Sequence, residues 1–203
     1  EMRMAQLQKN VIAGFNLSCV GDSRAYSYLP SRAGNSLSDK AALHILKHIY
    51  PAFMQYHWRD RGSDESNYCA PGIDLPIASL MRSKYGAFPE YHTSLDNLTD
   101  VVTPLGLAQS YAMCLRIVDA LEQRCFPKAL VFGEPQLGRR GLYPSLSTKT
   151  STESVRTLLD LISYADGTRD LIEIANECNV PVWSLYALLK TLVQADILRL
   201  DYA

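Results

Sequence analysis

The sequence predicts an α/β fold, with a mostly parallel sheet flanked by helices, followed by a small C-terminal winged-helix domain. Short apolar runs rich in β-branched residues alternate with helical patterns through the first part of the chain. The stretch 132–153 is dense in Gly, Pro, Ser and Thr, and the pattern beyond it changes to short amphipathic helices. We therefore expect two domains, residues 1–145 and residues 150–203.

The first domain opens with a buried strand over residues 11–20 that ends at a Gly-Asp turn. The segment "SDKAALHILKHIY" predicts a helix with Ser38 as its N-cap, and "IDLPIASLM" predicts a second buried strand. A long helix follows in "TPLGLAQSYAMCLRIVDALEQ", with Thr103 as N-cap and Pro104 at the first helical position. This alternation of strand and helix favours a parallel sheet.

The last fifty or so residues predict three short helices, divided at Asp166-Gly167 and at 179–181, and then a strand in "ILRLDY". This order is the outline of a winged helix. Residues 151–203 carry four basic and eight acidic residues, a net charge of −4, and the presumptive recognition helix "PVWSLYALLKTLVQ" offers one lysine. Because phosphate neutralisation needs several Lys or Arg, we expect no nucleic acid partner.

Composition excludes several other classes of protein. The chain of 203 residues is 47% hydrophobic and 20% charged with a net charge of −1, so bulk charge favours neither nucleic acid nor anionic lipid. Five scattered cysteines without a C-x-x-C pair argue against a disulfide framework or a thiolate zinc site. No apolar run approaches a membrane span, and the first ten residues lack a signal-peptide core. We expect a cytoplasmic protein with no membrane partner.

The stretch "PEYHTSLDN" contains His92, one of four histidines, followed by Thr93 and Asp96. A metal-binding imidazole needs an oxygen acceptor for its second nitrogen, which this stretch supplies, and "GSDE" upstream adds the carboxylates of Asp64 and Glu65. Zinc accepts imidazole and carboxylate ligands together. The alternative is an ordinary loop histidine held by hydrogen bonds, and the residues alone leave both open.

These stretches carry a family resemblance. "NLSCVGD…GSDESNYCAPG…LMR…PEYHTSLDNL", followed by a winged helix, resembles the bacterial aminopeptidase-like proteins of the zinc aminopeptidase and glutaminyl cyclase superfamily, which are often encoded near polysaccharide-biosynthesis genes. The resemblance runs over nearly the whole chain. It implies a zinc-dependent hydrolase that acts on an N-terminal peptide bond or a related amide bond.

The resemblance also implies roles for individual residues. The histidine of the Y-H-T motif is a zinc ligand in that superfamily, which corresponds to His92. The usual N-L-D-M pattern has an aspartate where this sequence has Ser18, so we take Asp22, four residues later, as the substitute ligand. Further residues are expected around the metal or in the substrate pocket: Asp64, Glu65, Tyr68, Arg82, Tyr91 and Asp96.

The superfamily takes its other histidine ligand, its bridging aspartate and its catalytic glutamate from segments before the strand that begins at Val11. The resemblance therefore covers only the second half of the catalytic domain, and it assigns no catalytic base in this sequence. Three explanations stay open: the chain is a fragment, another chain or a second copy completes the site, or the chain is not catalytic by itself.

Two lesser signals suggest other chemistry. His44 and His48 lie four residues apart, as in H-E-x-x-H zinc proteases, but Ile45 stands where the general base belongs, so a solvated helix face is the simpler interpretation. Cys69 could be a nucleophile activated by His92, although a free cysteine beside Pro and Gly more often packs in a core.

Two functions follow from the sequence. The first is a zinc-dependent aminopeptidase-like hydrolase with a peptide-like or small amide substrate. The alternative is a non-catalytic binding or assembly module linked to polysaccharide biosynthesis.

Overall fold

A computed structural model describes residues 2–133, 135–140 and 149–202. The chain divides into two compact units, Glu1–Asp119 and Ala120–Ala203. This division comes well before the expected boundary at residues 145–150. The reason is a strand at Phe126–Ala129 that pairs with the last strand of the chain, so the residues before the predicted linker already belong to the second unit. Residues 141–148 of that linker lie outside the described part.

The first unit begins with helix α1 (Met2–Asn10), which sequence analysis missed, and strand β1 (Gly14–Leu17). Strand β2 (Ser27–Leu29), helix α2 (Leu37–Ile49) and the two-residue strand β3 (Met54–Gln55) follow. A 3-10 turn at Trp58–Asp60, the short helix α3 (Glu65–Tyr68), strand β4 (Ile77–Met81) and helix α4 (Pro104–Glu122) complete the series.

The four strands form one sheet in the order β1-β4-β2-β3. β1 pairs with β4 and β2 pairs with β3 in parallel, while β2 and β4 are antiparallel. The predicted α/β class with a mainly parallel sheet and flanking helices is confirmed. β2 and β4 are central, and Tyr28, Leu29, Leu80 and Met81 are at most 1% exposed.

Helix α2 begins two residues earlier than expected. Ser36 is its N-cap, and a capping box joins the Ser36 and Asp39 side chains to each other's backbone N–H groups. Ser38, the predicted cap, lies inside the helix instead. Its hydroxyl donates to the Pro76 carbonyl (2.5 Å) and accepts from the Gly14 N–H (2.8 Å), so it ties α2 to the starts of β4 and β1.

Helix α4 confirms the predicted start, because the Thr103 hydroxyl accepts from the Gly106 N–H at 2.9 Å. Gly106 lies directly against the turn after β1, where a Cβ would clash with the backbone carbonyl oxygens of Gly21 and Asp22. The Ser110 hydroxyl donates to the Val20 carbonyl (2.7 Å) one turn later. This close approach fixes the loop that follows β1.

We expect Gly106→Ala to destabilise the protein by about 3 kcal/mol, because the backbone atoms it meets cannot rotate away. Helix propensity alone predicts the opposite, a gain of about 1 kcal/mol for alanine. Thermal or urea unfolding of the wild type and of Gly106→Ala shows whether the substitution lowers or raises the free energy of unfolding. A variant as stable as the wild type would show that α4 does not approach the turn this closely.

The second unit contains β5 (Phe126–Ala129), a 3-10 turn at Leu137–Arg140, α5 (Lys149–Tyr164) and α6 (Leu171–Glu177). A further 3-10 turn at Val182–Ser184, α7 (Leu185–Gln194) and β6 (Leu198–Asp201) complete it. β5 and β6 form an antiparallel pair. Three helices and a two-stranded wing confirm the predicted winged-helix region.

The charge of the second unit is closer to neutral than that of residues 151–203 alone, because residues 120–203 carry nine basic and ten acidic residues. The exposed face of α7 still offers a single cation, with Ala187, Lys190, Thr191 and Gln194 facing solvent. We therefore expect no measurable duplex DNA binding at physiological salt. Salt-sensitive binding near micromolar in a mobility-shift titration of the whole chain would contradict this.

Within the described residues, no helix is long and apolar enough to cross a bilayer.

Candidate functional site

The loops after β1 and β4 meet at one edge of the sheet. The two strands are parallel, so their carboxyl ends are adjacent, and the Arg82 N–H donates to the Cys19 carbonyl at 3.0 Å. Open α/β sheets place their ligand sites at this position. The candidate site therefore lies around Ser18–Asp22 and Arg82–Ser83.

Asp22 ties these two loops together. It is 3% exposed, and its carboxylate accepts from the Ser83 N–H (2.8 Å), the Ser83 hydroxyl (2.9 Å) and the Arg24 N–H (2.9 Å). A carboxylate has about four acceptor positions, so three of them are already used. This structural role was not predicted, and it makes Asp22 a poor fit for a zinc ligand.

His92 has an exposed side chain in the loop after β4. Its backbone is left-handed, with φ at 59°, and its imidazole stacks on the Tyr91 ring with centroids 3.9 Å apart and planes at 17°. Tyr91 also meets Phe88 edge-on at 5.6 Å and packs against the buried cluster of Leu29, Met81 and Tyr85. Tyr91 therefore fixes the ring of His92 while the imidazole stays accessible.

Asp96 was expected to orient His92 by a hydrogen bond. Among the described residues, no hydrogen bond joins the two, and the Asp96 N–H donates to the Thr93 carbonyl at 3.2 Å. The orienting contact is the aromatic stack of Tyr91 instead. This outcome depends on the turn at φ 59°, which the sequence does not reveal.

Glu65 and Asp64 are neighbours in opposite environments. Glu65 is 0% exposed and Asp64 is exposed, so only Glu65 enters the fold. One Glu65 oxygen accepts from the Gly62 N–H (2.8 Å), the Ser63 N–H (2.9 Å) and the Tyr85 hydroxyl (2.8 Å). The other accepts from the Asn16 amide (2.7 Å) and the Ser79 hydroxyl (3.2 Å).

This network decides the protonation state of Glu65. Burial alone would raise the pKa of the carboxyl, but the hydrogen bonds from Ser63, Gly62 and Tyr85 outweigh it, and the pKa lies below its ordinary value. The carboxylate joins β1, β4 and the loops before α3 and after β4. Glu65 therefore stabilises the sheet beneath the site and offers no open position to a metal.

Arg82 lies under helix α4. It is 2% exposed, its guanidinium lies 3.8 Å from the Tyr26 ring centroid, and its Nη1 donates to the Gln109 side chain at 3.0 Å. A role in a substrate pocket would require a guanidinium that is accessible to a ligand, and these neighbours bury it. Tyr68 remains 47% exposed on α3, so its predicted pocket role stays a prediction.

The two lesser sequence signals have structural explanations. Cys69 is 0% exposed, its thiol donates to the Leu75 and Ile77 carbonyls (3.2 and 3.3 Å), and burial raises the pKa of the thiol, which disfavours a nucleophilic role. The rings of His44 and His48 contact each other with centroids 4.8 Å apart, and His44 is 2% exposed, so the expected solvated helix face is wrong for His44.

Cys19 is a residue that sequence analysis overlooked. It lies two residues after the end of β1 with a left-handed φ of 47°, and its half-buried thiol sulfur accepts from the Ser18 hydroxyl at 3.7 Å. Burial is the main reason why the pKa of the thiol is raised.

A cavity of about 760 Å³ lies in the second unit. Its titratable lining groups are Lys128, Asp160 and Asp166. Asp166 already accepts from the Thr168 backbone and hydroxyl and pairs with Arg169 at 3.0 Å. We therefore place the candidate site at the strand ends.

Comparison with known proteins agrees with both units. Residues 2–124 match the family model described as Domain of unknown function (DUF4910). The chain belongs to the DUF4910 family. Residues 125–200 match a winged helix-turn-helix model.

Relatives of this DUF4910 chain are named for peptidase-like domains. A Clostridium acetobutylicum protein named for polysaccharide biosynthesis and an aminopeptidase-like domain is 31% identical over 194 residues, covering 95% of this chain and 44% of that protein. The crystal structure of a protein from the same organism, described as a peptidase, matches with a TM-score of 0.84 at 30% identity, over 95% of this chain and 42% of that one. An Aneurinibacillus aminopeptidase matches only weakly, with a TM-score of 0.47 at 18% identity over 58% of this chain and 28% of its own.

The DUF4910 chain thus spans less than half the length of the curated relative and of the solved relative that it matches. In the part of the chain that the structure describes, no group of three or more His, Cys, Asp or Glu side chains is placed to hold a metal ion. Zinc sites normally need three or four protein ligands. The described residues therefore do not bring enough such ligands together for a zinc site, and the role of the exposed His92 as a ligand stays a prediction.

Proposed function

We propose that the protein is an aminopeptidase-like hydrolase, and that this chain contributes the carboxyl-end loops of its catalytic domain. The observation that carries the proposal is the accessible imidazole of His92, held by Tyr91 in the loop after β4. The names of the two Clostridium relatives support the peptidase-like class. The substrate would present an N-terminal peptide bond or a related amide bond.

Zinc dependence is the finer part of this proposal. His92 would supply one ligand, and the other ligands and the general base would come from residues outside those described, in the same polypeptide, a second copy or another chain. A bound zinc would polarise the scissile carbonyl and acidify a water molecule. Asp22 and Glu65 would hold the loops in place through the hydrogen bonds that they already accept.

A non-catalytic binding module is the second candidate. Its support is that the two buried carboxylates of the site, Asp22 and Glu65, are both engaged by protein donors. The name of the Clostridium relative that mentions polysaccharide biosynthesis points to assembly in such a system as the context.

Hydrolysis of aminoacyl 4-nitroanilides separates the two candidates. The protein should be purified from its source organism, dialysed against 1,10-phenanthroline, and assayed before and after zinc is returned. The hydrolase proposal expects activity that the chelator removes and zinc restores. Absence of turnover across acidic, basic and apolar aminoacyl groups, with zinc supplied, would favour the binding module.

A further inference from the structure

An aromatic cluster lies on one face of the sheet beside the carboxyl end of β4. The antiparallel register of β2 and β4 makes Leu29 and Met81 point to the same face of these two central strands. With Tyr85 they form a buried group. Four half-buried side chains pack against this group: Cys19, Tyr56, Trp58 and Tyr91. Three aromatic rings of the cluster therefore keep part of their surface accessible.

The ammonium group of Lys84 lies on this aromatic cluster. Its Nζ is 4.1 Å from the centroid of the Tyr85 ring and 5.4 Å from that of the Tyr56 ring, and it donates to the Tyr85 carbonyl at 3.2 Å. An ammonium has three donors, so two remain after this bond. Lys84 is half-buried, and within the described ranges no ion pair joins it to an Asp or a Glu. Lys84 therefore holds a positive charge that lacks a carboxylate partner.

The rings fix this charge and connect it to the candidate site. The Tyr85 hydroxyl donates to the buried Glu65 carboxylate at 2.8 Å, which holds the ring beneath Lys84 in place. Cation–π contacts with such a ring strengthen as water is excluded. At the other side of the cluster, Tyr91 stacks on the His92 imidazole with centroids 3.9 Å apart. One aromatic cluster thus carries both the cation of Lys84 and the proposed metal ligand.

We propose that Lys84 selects substrates whose N-terminal residue is acidic, by binding the carboxylate of its side chain. This inference rests on the proposed hydrolase function, and it names the substrate class. The accessible surfaces of Tyr56 and Tyr91 would contact the methylene groups of a glutamyl side chain, and the two remaining donors of Lys84 would bind its carboxylate. A glutaminyl group has the same shape but no charge, so Lys84 discriminates between the two.

Hydrolysis by the protein purified from its source organism tests this selection. In the wild type, kcat/KM for L-glutamyl 4-nitroanilide should exceed that for L-glutaminyl 4-nitroanilide by about 10–100-fold, which corresponds to one charge-assisted hydrogen bond. Lys84→Met keeps an apolar chain on the rings and removes the charge, so this ratio should fall to about one. Lys84→Arg keeps the charge and should retain part of the preference.

Arg61 provides the matched control, because it is a second cation on the same cluster. Its guanidinium lies 5.2 Å from the Trp58 ring centroid, but the side chain is exposed. Arg61→Met should change the ratio of glutamyl to glutaminyl hydrolysis by less than about 3-fold, since an exposed charge is screened by solvent. An equal loss of the preference in Arg61→Met and Lys84→Met would show a general attraction of anions and contradict a specific role for Lys84.

A second measurement in the same protein needs no turnover. Lysine amines are acetylated with N-hydroxysuccinimidyl acetate in the presence of L-glutamate or L-glutamine, whose α-amines consume the reagent alike, and each lysine is followed by mass spectrometry. L-glutamate should slow the acetylation of Lys84 by at least about 3-fold at saturation, whereas L-glutamine should not. Lys9, exposed on α1, should react at the same rate with either ligand.

The two measurements separate this inference from the proposed function. Protection of Lys84 by L-glutamate in a protein that hydrolyses no 4-nitroanilide would support the carboxylate site and contradict the hydrolase. Hydrolysis without a glutamyl preference, or a preference that survives in Lys84→Met, would overturn the inference and leave the hydrolase standing. A preference that depends on Lys84 but favours leucyl-glycine over its amide, in place of glutamyl groups, would overturn it too, because the bound carboxylate would then be C-terminal.

Discussion

Replacing Glu65 with alanine is expected to lower the free energy of unfolding by about 3–5 kcal/mol, because it removes the common acceptor of five donors. Each buried donor left without a partner costs about 1–3 kcal/mol, and rearrangement of the Tyr85, Ser79 and Asn16 side chains would recover part of the total. The donors come from four parts of the unit, namely β1, β4, the loop before α3 and the loop after β4, so the loss should affect its whole cooperative transition. Chemical denaturation of the purified chain measures it.

Glu65→Gln provides a finer test, and Asp64→Asn provides the matched control. Glutamine keeps the shape and one acceptor oxygen but introduces an N–H2 group, so we expect a smaller loss of about 1–3 kcal/mol. Asp64 is the exposed neighbour, and its side chain makes no cap hydrogen bond, so Asp64→Asn should leave stability unchanged within about 0.5 kcal/mol. Equal effects at positions 64 and 65 would show that the network around Glu65 does not hold the sheet.

The pKa of Glu65 predicts a pH dependence with a definite sign. Because its pKa is lower in the folded state than in the unfolded chain, the carboxylate stabilises the fold above the ordinary glutamate pKa of about 4.3. That contribution is lost as the pH falls through the lower folded pKa. The free energy of unfolding, measured between pH 6 and pH 3, should therefore decrease more steeply with falling pH for the wild type than for Glu65→Gln.

Replacing His92 should abolish metal-dependent activity while leaving the fold intact. We expect at least about a 100-fold loss of hydrolysis, since removing a direct ligand should exceed the roughly 10–100-fold effect of removing an orienting neighbour. Alanine is strained at the left-handed φ of 59°, so His92→Asn is the better variant, because asparagine tolerates that backbone. The Tm should change little, since the side chain is exposed.

Two companion variants separate a ligand from a structural histidine. Tyr91→Leu removes the stacked ring and should weaken metal binding by about 10–100-fold without removing the ligand. His57→Ala is the control, because His57 is another exposed histidine, whose Nδ1 accepts from the Arg59 N–H at 3.0 Å. A loss of activity in His57→Ala equal to that in His92→Asn would contradict a specific role for His92.

The sequence predicted the elements that have strong local signals. β4 and α4 were found because a continuous apolar run and a Thr-Pro start specify them locally. Strands β2 and β5 were missed since each has only three or four residues, and β5 contains Pro127. Their existence depends on partners far along the chain, Met81 for Ser27 and Asp201 for Phe126, which no local pattern shows.

The same distinction explains the site. His92 was predicted as a ligand from its motif, and that role stays a prediction for an exposed side chain. The roles of Asp22 and Glu65 depend on Ser83, Asn16 and Ser79, which are distant in sequence, so a pattern of acidic residues could suggest ligands but not reveal that their oxygens were already engaged. The orienting role of Tyr91 likewise depends on the turn at His92.

Counting zinc in the protein purified from its source organism tests the central claim most directly. Elemental analysis after dialysis against zinc should find stoichiometric metal in the wild type and in His57→Ala, and less than about one tenth of it in His92→Asn. A wild-type protein that holds no zinc when supplied with it, or a His92→Asn protein with unchanged zinc content, would contradict the assignment of His92 as a ligand of an aminopeptidase-like hydrolase.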